Sequence, residues 1–140
     1  MAAIAHLVVP AHTVAAMRRF DHERLDAYQV GLDFIVVADG LTRTLPRGRG
    51  HLADQLHRAA TSICLNIAEG AGEFSLPDKV RFYRMAKRSA TECAAILDVL
   101  DRLSAGEREP LDAGRELLLR IVSMLTKMAQ RRADPDHAAI

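Results

Sequence analysis

Two carboxylates, Glu69 and Glu92, lie among the polar residues Gln55, Arg58, Ser62, Asn66 and Ser89, and a pair of acids is the minimum for general acid–base chemistry. Arg58 and Gln55 are of the type that hydrogen-bonds such carboxylates, and two acids on helices do not by themselves specify a reaction. The structural expectation is that Glu69 and Asn66 tie down the backbone of a turn at Gly70-Ala71-Gly72 or contact a neighbouring subunit. Such a network, once buried, must be fully paired, and it fixes register more than it adds stability. A metal site inside a bundle requires paired Glu-x-x-His motifs. None occurs; the nearest sequence is Asp54-Gln-Leu-His57, in one copy, so the histidines read as structural or solvated and no metal or cofactor is expected. Gly70-x-Gly72 has no preceding strand and no following Lys-Ser/Thr, which excludes a phosphate loop. Cys64 and Cys93, the two cysteines, lack CxxC spacing and read as reduced thiols of a cytoplasmic protein.

The basic residues suggest a different chemistry. Net charge is only +1, with 16 Arg and 3 Lys, so clustering decides whether phosphate is a partner. From Lys79 to Thr91 the chain carries Lys79, Arg81, Arg84, Lys87 and Arg88 and no acid; from Leu117 to Ala133 it carries Arg120, Lys127, Arg131 and Arg132 and no acid. Arg84, Lys87 and Arg88 stand at i, i+3 and i+4, on one helical face. Antiparallel packing puts both clusters at one end of the molecule, a surface able to hold phosphates without reading bases. The other reading is a solvated face partly balanced by Glu73 and Asp78, with Lys127, Arg131 and Arg132 placed to suit a helix dipole. Of six aromatics only Phe82 and Tyr83 fall near the patch, and Phe82 is assigned to the core, so base stacking is expected to add little.

These residues need helices to hold them. Apolar residues are 49% of the chain, aromatics 4%, and Trp is absent; Leu and Ala carry the packing, as in all-α bundles. Helix one is expected over residues 23–42 with Leu25, Tyr28, Leu32, Ile35 and Val36 inward. Helix two is expected over 51–69, stopping at Gly70 through positive φ. Helix three spans 77–103, started by Ser75 and Pro77, with Phe82, Met85, Ala86, Ser89, Cys93, Ile96, Leu97, Leu100 and Leu103 as its seam. Helix four starts near Pro110, with Leu117, Leu118, Ile121, Val122, Leu125, Met128 and Ala129 inward. Short connections close these as an antiparallel up-down-up-down four-helix bundle over residues 21–133. Residues 1–20 read as an N-terminal extension, because Arg18 and Arg19 follow their apolar stretch instead of preceding it as in a secretory signal, and 134–140 read as a tail. No apolar run approaches the ~20 residues of a membrane span.

At about 100° per residue, Gln55, Arg58, Ser62, Asn66 and Glu69 share a narrow arc beside the apolar face of helix two. This string, Gln-Leu-x-Arg-Ala-Ala…Ser-Ile…Asn-Ile-Ala-Glu-Gly, followed by Phe82, Ala86, Ser89 and Glu92, resembles the signature of a bacterial family of small four-helix-bundle proteins. That family includes proteins encoded in intervening sequences of large-subunit rRNA genes and the accessory variability determinants of diversity-generating retroelements. The resemblance implies an antiparallel bundle and assembly into rings, pentamers in known cases. For the retroelement branch, whose members are strongly basic, it implies binding of nucleic acid and of a reverse transcriptase. It makes Gln55, Arg58, Ser62, Asn66, Glu69, Gly70, Ser89 and Glu92 signature residues. Self-association is also expected because Phe34, Val37 and Leu41 lie off the inward stripe assigned to helix one. The reading that results is a non-enzymatic oligomeric scaffold that binds RNA or DNA through its basic face. The alternative is a purely structural or regulatory interaction module without nucleic-acid affinity.

Overall fold

In the computed structural model, which describes residues 19–130, a 3₁₀ turn at Asp21–Arg24 leads into four helices: α1 (Asp26–Arg43), α2 (Gly50–Gly72), α3 (Leu76–Arg102) and α4 (Arg108–Gln130). Each packs on its sequence neighbours, and α1 closes on α4, giving the antiparallel four-helix bundle. The expectations for residues 1–18 and 131–140, including Arg131 and Arg132, lie outside the described residues. Ser75 starts α3 as expected: its Oγ accepts from Asp78 N at 3.2 Å and donates to Asp78 Oδ2 at 2.7 Å, satisfying a donor the first turn leaves open. Pro110 lies in the first turn of α4, where it loses no helical bond.

The core is aliphatic. Phe34, Leu41, Leu56, Ile63, Ile67, Leu100, Leu118, Ile121 and Leu125 are fully buried, and no polar or charged side chain is buried among the described residues. On α4 the expectation holds in outline: Leu118, Ile121 and Leu125 are buried, with Leu117, Val122 and Met128 half-buried against the core.

Three expectations are corrected. On α1 the inward face is Ala27, Val30, Gly31, Phe34, Ala38 and Leu41, whereas Leu32 and Val36 are exposed, Val36 by 72%. The reason is close approach: a β-carbon at position 31 would lie 2.8 Å from Cys64 Sγ. α1 thus turns its small residues toward α2, while the sequence reading followed the large ones. Phe34 and Leu41, expected outside, are core residues. On α3 the ring inside is Tyr83, and Phe82 is half-buried while Met85 and Leu103 are exposed. Finally, α2 runs through Gly70 to Gly72, and Gly70 does not adopt positive φ. Glycine is required there because a β-carbon would lie 2.8 Å from Tyr83 Cε1 and 3.0 Å from Phe82 Cβ.

Candidate functional site

Two contacts fix the register of α2 against α3. Ser89 Oγ donates to Ser62 Oγ at 3.0 Å, and Gly70 abuts Phe82 and Tyr83. In an antiparallel pair this register sets Arg58 level with Glu92, and Glu69 level with Arg81. Of the signature residues, Ser62, Ser89 and Gly70 therefore lie at the contact between the two helices, centred on the Ser62–Ser89 bond. Asn66 Nδ2 strengthens that centre by donating to Ser62 O and Ser62 Oγ, both at 2.9 Å. The ends are different: Gln55, Arg58, Glu69 and Glu92 are exposed, and none of the ion pairs among the described residues includes them. The buried charged network is thus replaced by a short polar clasp flanked by solvated charges. His57, Arg58, Thr61, Ser62, Leu65, Asn66 and Glu69 line an open groove of about 440 Å³ along α2.

The α2–α3 turn is tied down, but not by Glu69 and Asn66. Lys79 Nζ donates to Ala71 O at 2.8 Å and to Gly70 O at 3.4 Å, so this cation caps the last carbonyls of α2. Lys79, expected as a phosphate ligand, thus also serves the fold through two protein acceptors. On the other side of α2, Thr42 Oγ1 and His57 Nε2 are 2.8 Å apart, which fixes the register of α1 against α2 and sets Leu32 level with Leu65.

Arg81, Arg84 and Arg88 are exposed and Lys87 is half-buried; none is in an ion pair among the described residues. Arg84, Lys87, Arg88 and Thr91 line a depression of about 370 Å³. The α3–α4 register follows from Asp98–Arg115 at 3.5 Å and from the approach of Gly114 to Leu97, and it sets Lys127 level with Arg84. The described members of the two cation clusters thus lie at one end of the bundle, as antiparallel packing requires, while the depression itself is lined by α3 alone. Arg81 holds its guanidinium carbon 5.2 Å from the centre of the Phe82 ring, a cation–π contact that keeps its charge near the surface.

The thiols offer no nucleophile. Both are buried and free; burial pushes Cys64 up to about 11, and burial together with the neighbouring Glu92 carboxylate pushes Cys93 up to about 12. Both stay protonated at neutral pH. No group of three or more His, Cys, Asp or Glu side chains among the described residues is placed to hold a metal ion, and no described helix is long and apolar enough to cross a membrane.

Sequence reasoning missed one exposed group. Phe74, in the α2–α3 turn, is fully exposed; it stands outside any apolar repeat, and that isolation was the available signal.

An all-α antiparallel bundle whose second and third helices carry a polar clasp in an open groove defines a class of small helical-bundle proteins. Residues 23–127 match the family of 23S rRNA-intervening sequence proteins, and the chain belongs to that family. Among solved structures it resembles a protein of unknown function from the S23 ribosomal protein family of Bacteroides thetaiotaomicron. The TM-score is 0.68 at 24% identity, over 74% of this chain and 98% of that one; at this identity the likeness establishes the fold. No curated protein matches the sequence.

Proposed function

We propose that this chain is a non-enzymatic, self-associating cytoplasmic scaffold that holds nucleic-acid phosphates on Arg84, Lys87 and Arg88, with Lys127, Arg81 and the more distal Arg131 and Arg132 contributing. The observation that carries this reading is the cluster of Arg84, Lys87 and Arg88 around one depression of α3, in no ion pair among the described residues. Adjacent like charges cost a helix about 0.2–0.5 kcal/mol per pair, so folding alone gives no reason to collect them. Phosphate contacts of this kind are largely electrostatic and independent of sequence.

Self-association has its support in Leu32, Val36 and Leu65, exposed by 37%, 72% and 57%, with Leu32 and Leu65 level on neighbouring helices. A ring, pentameric as the family resemblance implies, repeats the cation patch in every subunit and turns weak contacts into avidity. A reverse transcriptase-type partner belongs to the same reading. The same apolar patch favours a second one, in which the chain binds protein alone and its cations stay solvated.

Fluorescence anisotropy at low salt separates the two. The wild type binds labelled RNA and DNA with an affinity that drops steeply as salt is raised, and Arg84→Glu/Arg88→Glu does not bind. Absence of binding by the wild type, or equal binding by the variant, leaves the protein-only reading. Light scattering at micromolar concentration tests assembly: a mass of 15.4 kDa, that of one chain, rejects it, and Val36→Glu is expected to reduce a larger particle to that mass.

A further inference from the structure

The described aromatic rings are distributed unevenly. Phe34 and Tyr83 are buried, Tyr28 and Phe82 are half-buried, and Phe20 and Phe74 are exposed, Phe20 by 71% and Phe74 by 102%. Both exposed rings belong to one end of the bundle. Phe74 sits in the turn between α2 and α3. Phe20 leads into the 3₁₀ turn, which packs against α2, and the α1–α2 register sets that turn beside the end of α2. The cations lie at this same end: Arg81 and Arg84 in the first half of α3, and Lys127 in the last turn of α4. The opposite end, built from residues 44–49 and 103–107, has no aromatic residue.

We infer that this end binds single-stranded nucleic acid, with Phe74 as a stacking platform for an unpaired base and the Arg84–Arg88 cluster as the seat of its phosphates. The inference rests on the phosphate-binding reading above and names its ligand more narrowly. A lone exposed phenylalanine is ordinary on a protein surface. Here two of them share an end of the bundle with cations in no ion pair among the described residues. A strand presents flat apolar faces and negative charges at successive nucleotides, so that one nucleotide can stack while others along the strand reach the arginines. A duplex hides its base faces in the stack, so an aromatic ring gains nothing from it. The ring of Phe74 is free to serve: it makes no stacking contact among the described residues, whereas Phe20 is stacked on His22 with ring centres 5.6 Å apart. Two acids lie near the ring in sequence: Glu73, half-buried beside it, and Asp78, held by Ser75 Oγ at 2.7 Å. Stacking of this kind tolerates any base, because every base has a π-face, and it is the usual companion of a cationic track in strand-binding proteins.

The chain contains no Trp, so Phe74→Trp creates a single indole reporter at the site in question. Its emission should be quenched by a 12-nucleotide oligoadenylate strand, and unaffected by a strand of the same length whose nucleotides are abasic. In Phe74→Ala the affinity for the oligoadenylate should fall roughly 5- to 100-fold, while that for a 12-base-pair duplex changes less than about twofold. Quenching by the abasic strand, or equal loss on strand and duplex, overturns the stacking role and leaves phosphate binding standing. A concentration-dependent blue shift of the indole without any nucleic acid assigns Phe74 to a protein contact and also overturns it. If the wild type binds neither strand nor duplex, this inference falls together with the reading it rests on.

Discussion

The two ends of the α3–α4 face contain similar cations in opposite circumstances. At one end Arg115 pairs with Asp98 across the helices, and Arg108 pairs with Asp101 across the turn and with Asp112 on its own helix. At the other, Arg84, Lys87, Arg88 and Lys127 are in no ion pair among the described residues. The paired end raises the pKa of Arg108 through its bonds to Asp101 and Asp112 and needs no partner beyond the chain. The difference shows what a bundle does with charge when folding alone is served: it alternates sign. A cluster of one sign is the exception, and it is the feature on which the proposed phosphate binding rests.

The comparison breaks most visibly with Arg84→Glu/Arg88→Glu. Nucleic-acid affinity at low salt should fall roughly 10- to 100-fold while stability stays within about 1 kcal/mol of the parent, since the new carboxylate at position 84 gains Arg81 and Lys87 at three-residue spacing but those at 84 and 88 then form a like-charged row with Glu92. A loss several times larger would mean that the cluster holds the fold after all. Next in size is Gly70→Val, which forces a branched side chain against Tyr83 and should cost about 1–3 kcal/mol in urea denaturation. It disturbs the turn beneath the cation end, so affinity measured below its melting transition should fall as well; unchanged stability would remove the close-packing account of Gly70. At the paired end Arg108→Ala removes two exposed ion pairs that solvent screens, and should leave the urea midpoint close to the parent's, with anisotropy curves superimposing on those of the parent. Smallest of all, Arg58→Ala and Glu69→Ala should each stay within about 0.5 kcal/mol of the parent, because both side chains are solvated. A loss several times larger would place them in an interface between subunits.

The helical periods of the sequence were enough to identify the bundle, its element order and the Ser75 start of α3, because apolar repeats at three- and four-residue steps have few alternatives. They were less informative about α1, where Leu25, Leu32 and Val36 made as good a stripe as Ala27, Gly31 and Ala38. Hydrophobicity ranks Leu above Ala, but the space left by Cys64 admits only the smaller side chain. The cations on α3 could be read as a cluster because they share a segment. Their company with Lys127 depended on the antiparallel arrangement, and the diversion of Lys79 to the carbonyls of Gly70 and Ala71 was invisible in one dimension.

The sequence by itself determined the family, the all-α class and the one-signed run of charge, since each is a local property of residue type and spacing. Tertiary structure alone decided which signature residues are joined and which are solvated. Ser62, Asn66 and Ser89 meet because the helix register brings the two serine hydroxyls within 3.0 Å, while Arg58, Glu69 and Glu92 remain exposed. Helical periodicity says that residues share a face, but whether that face meets protein or water depends on the rotation of each helix about its axis. That rotation is set by the small residues Gly31 and Gly70, whose missing β-carbons let Cys64 and Tyr83 approach.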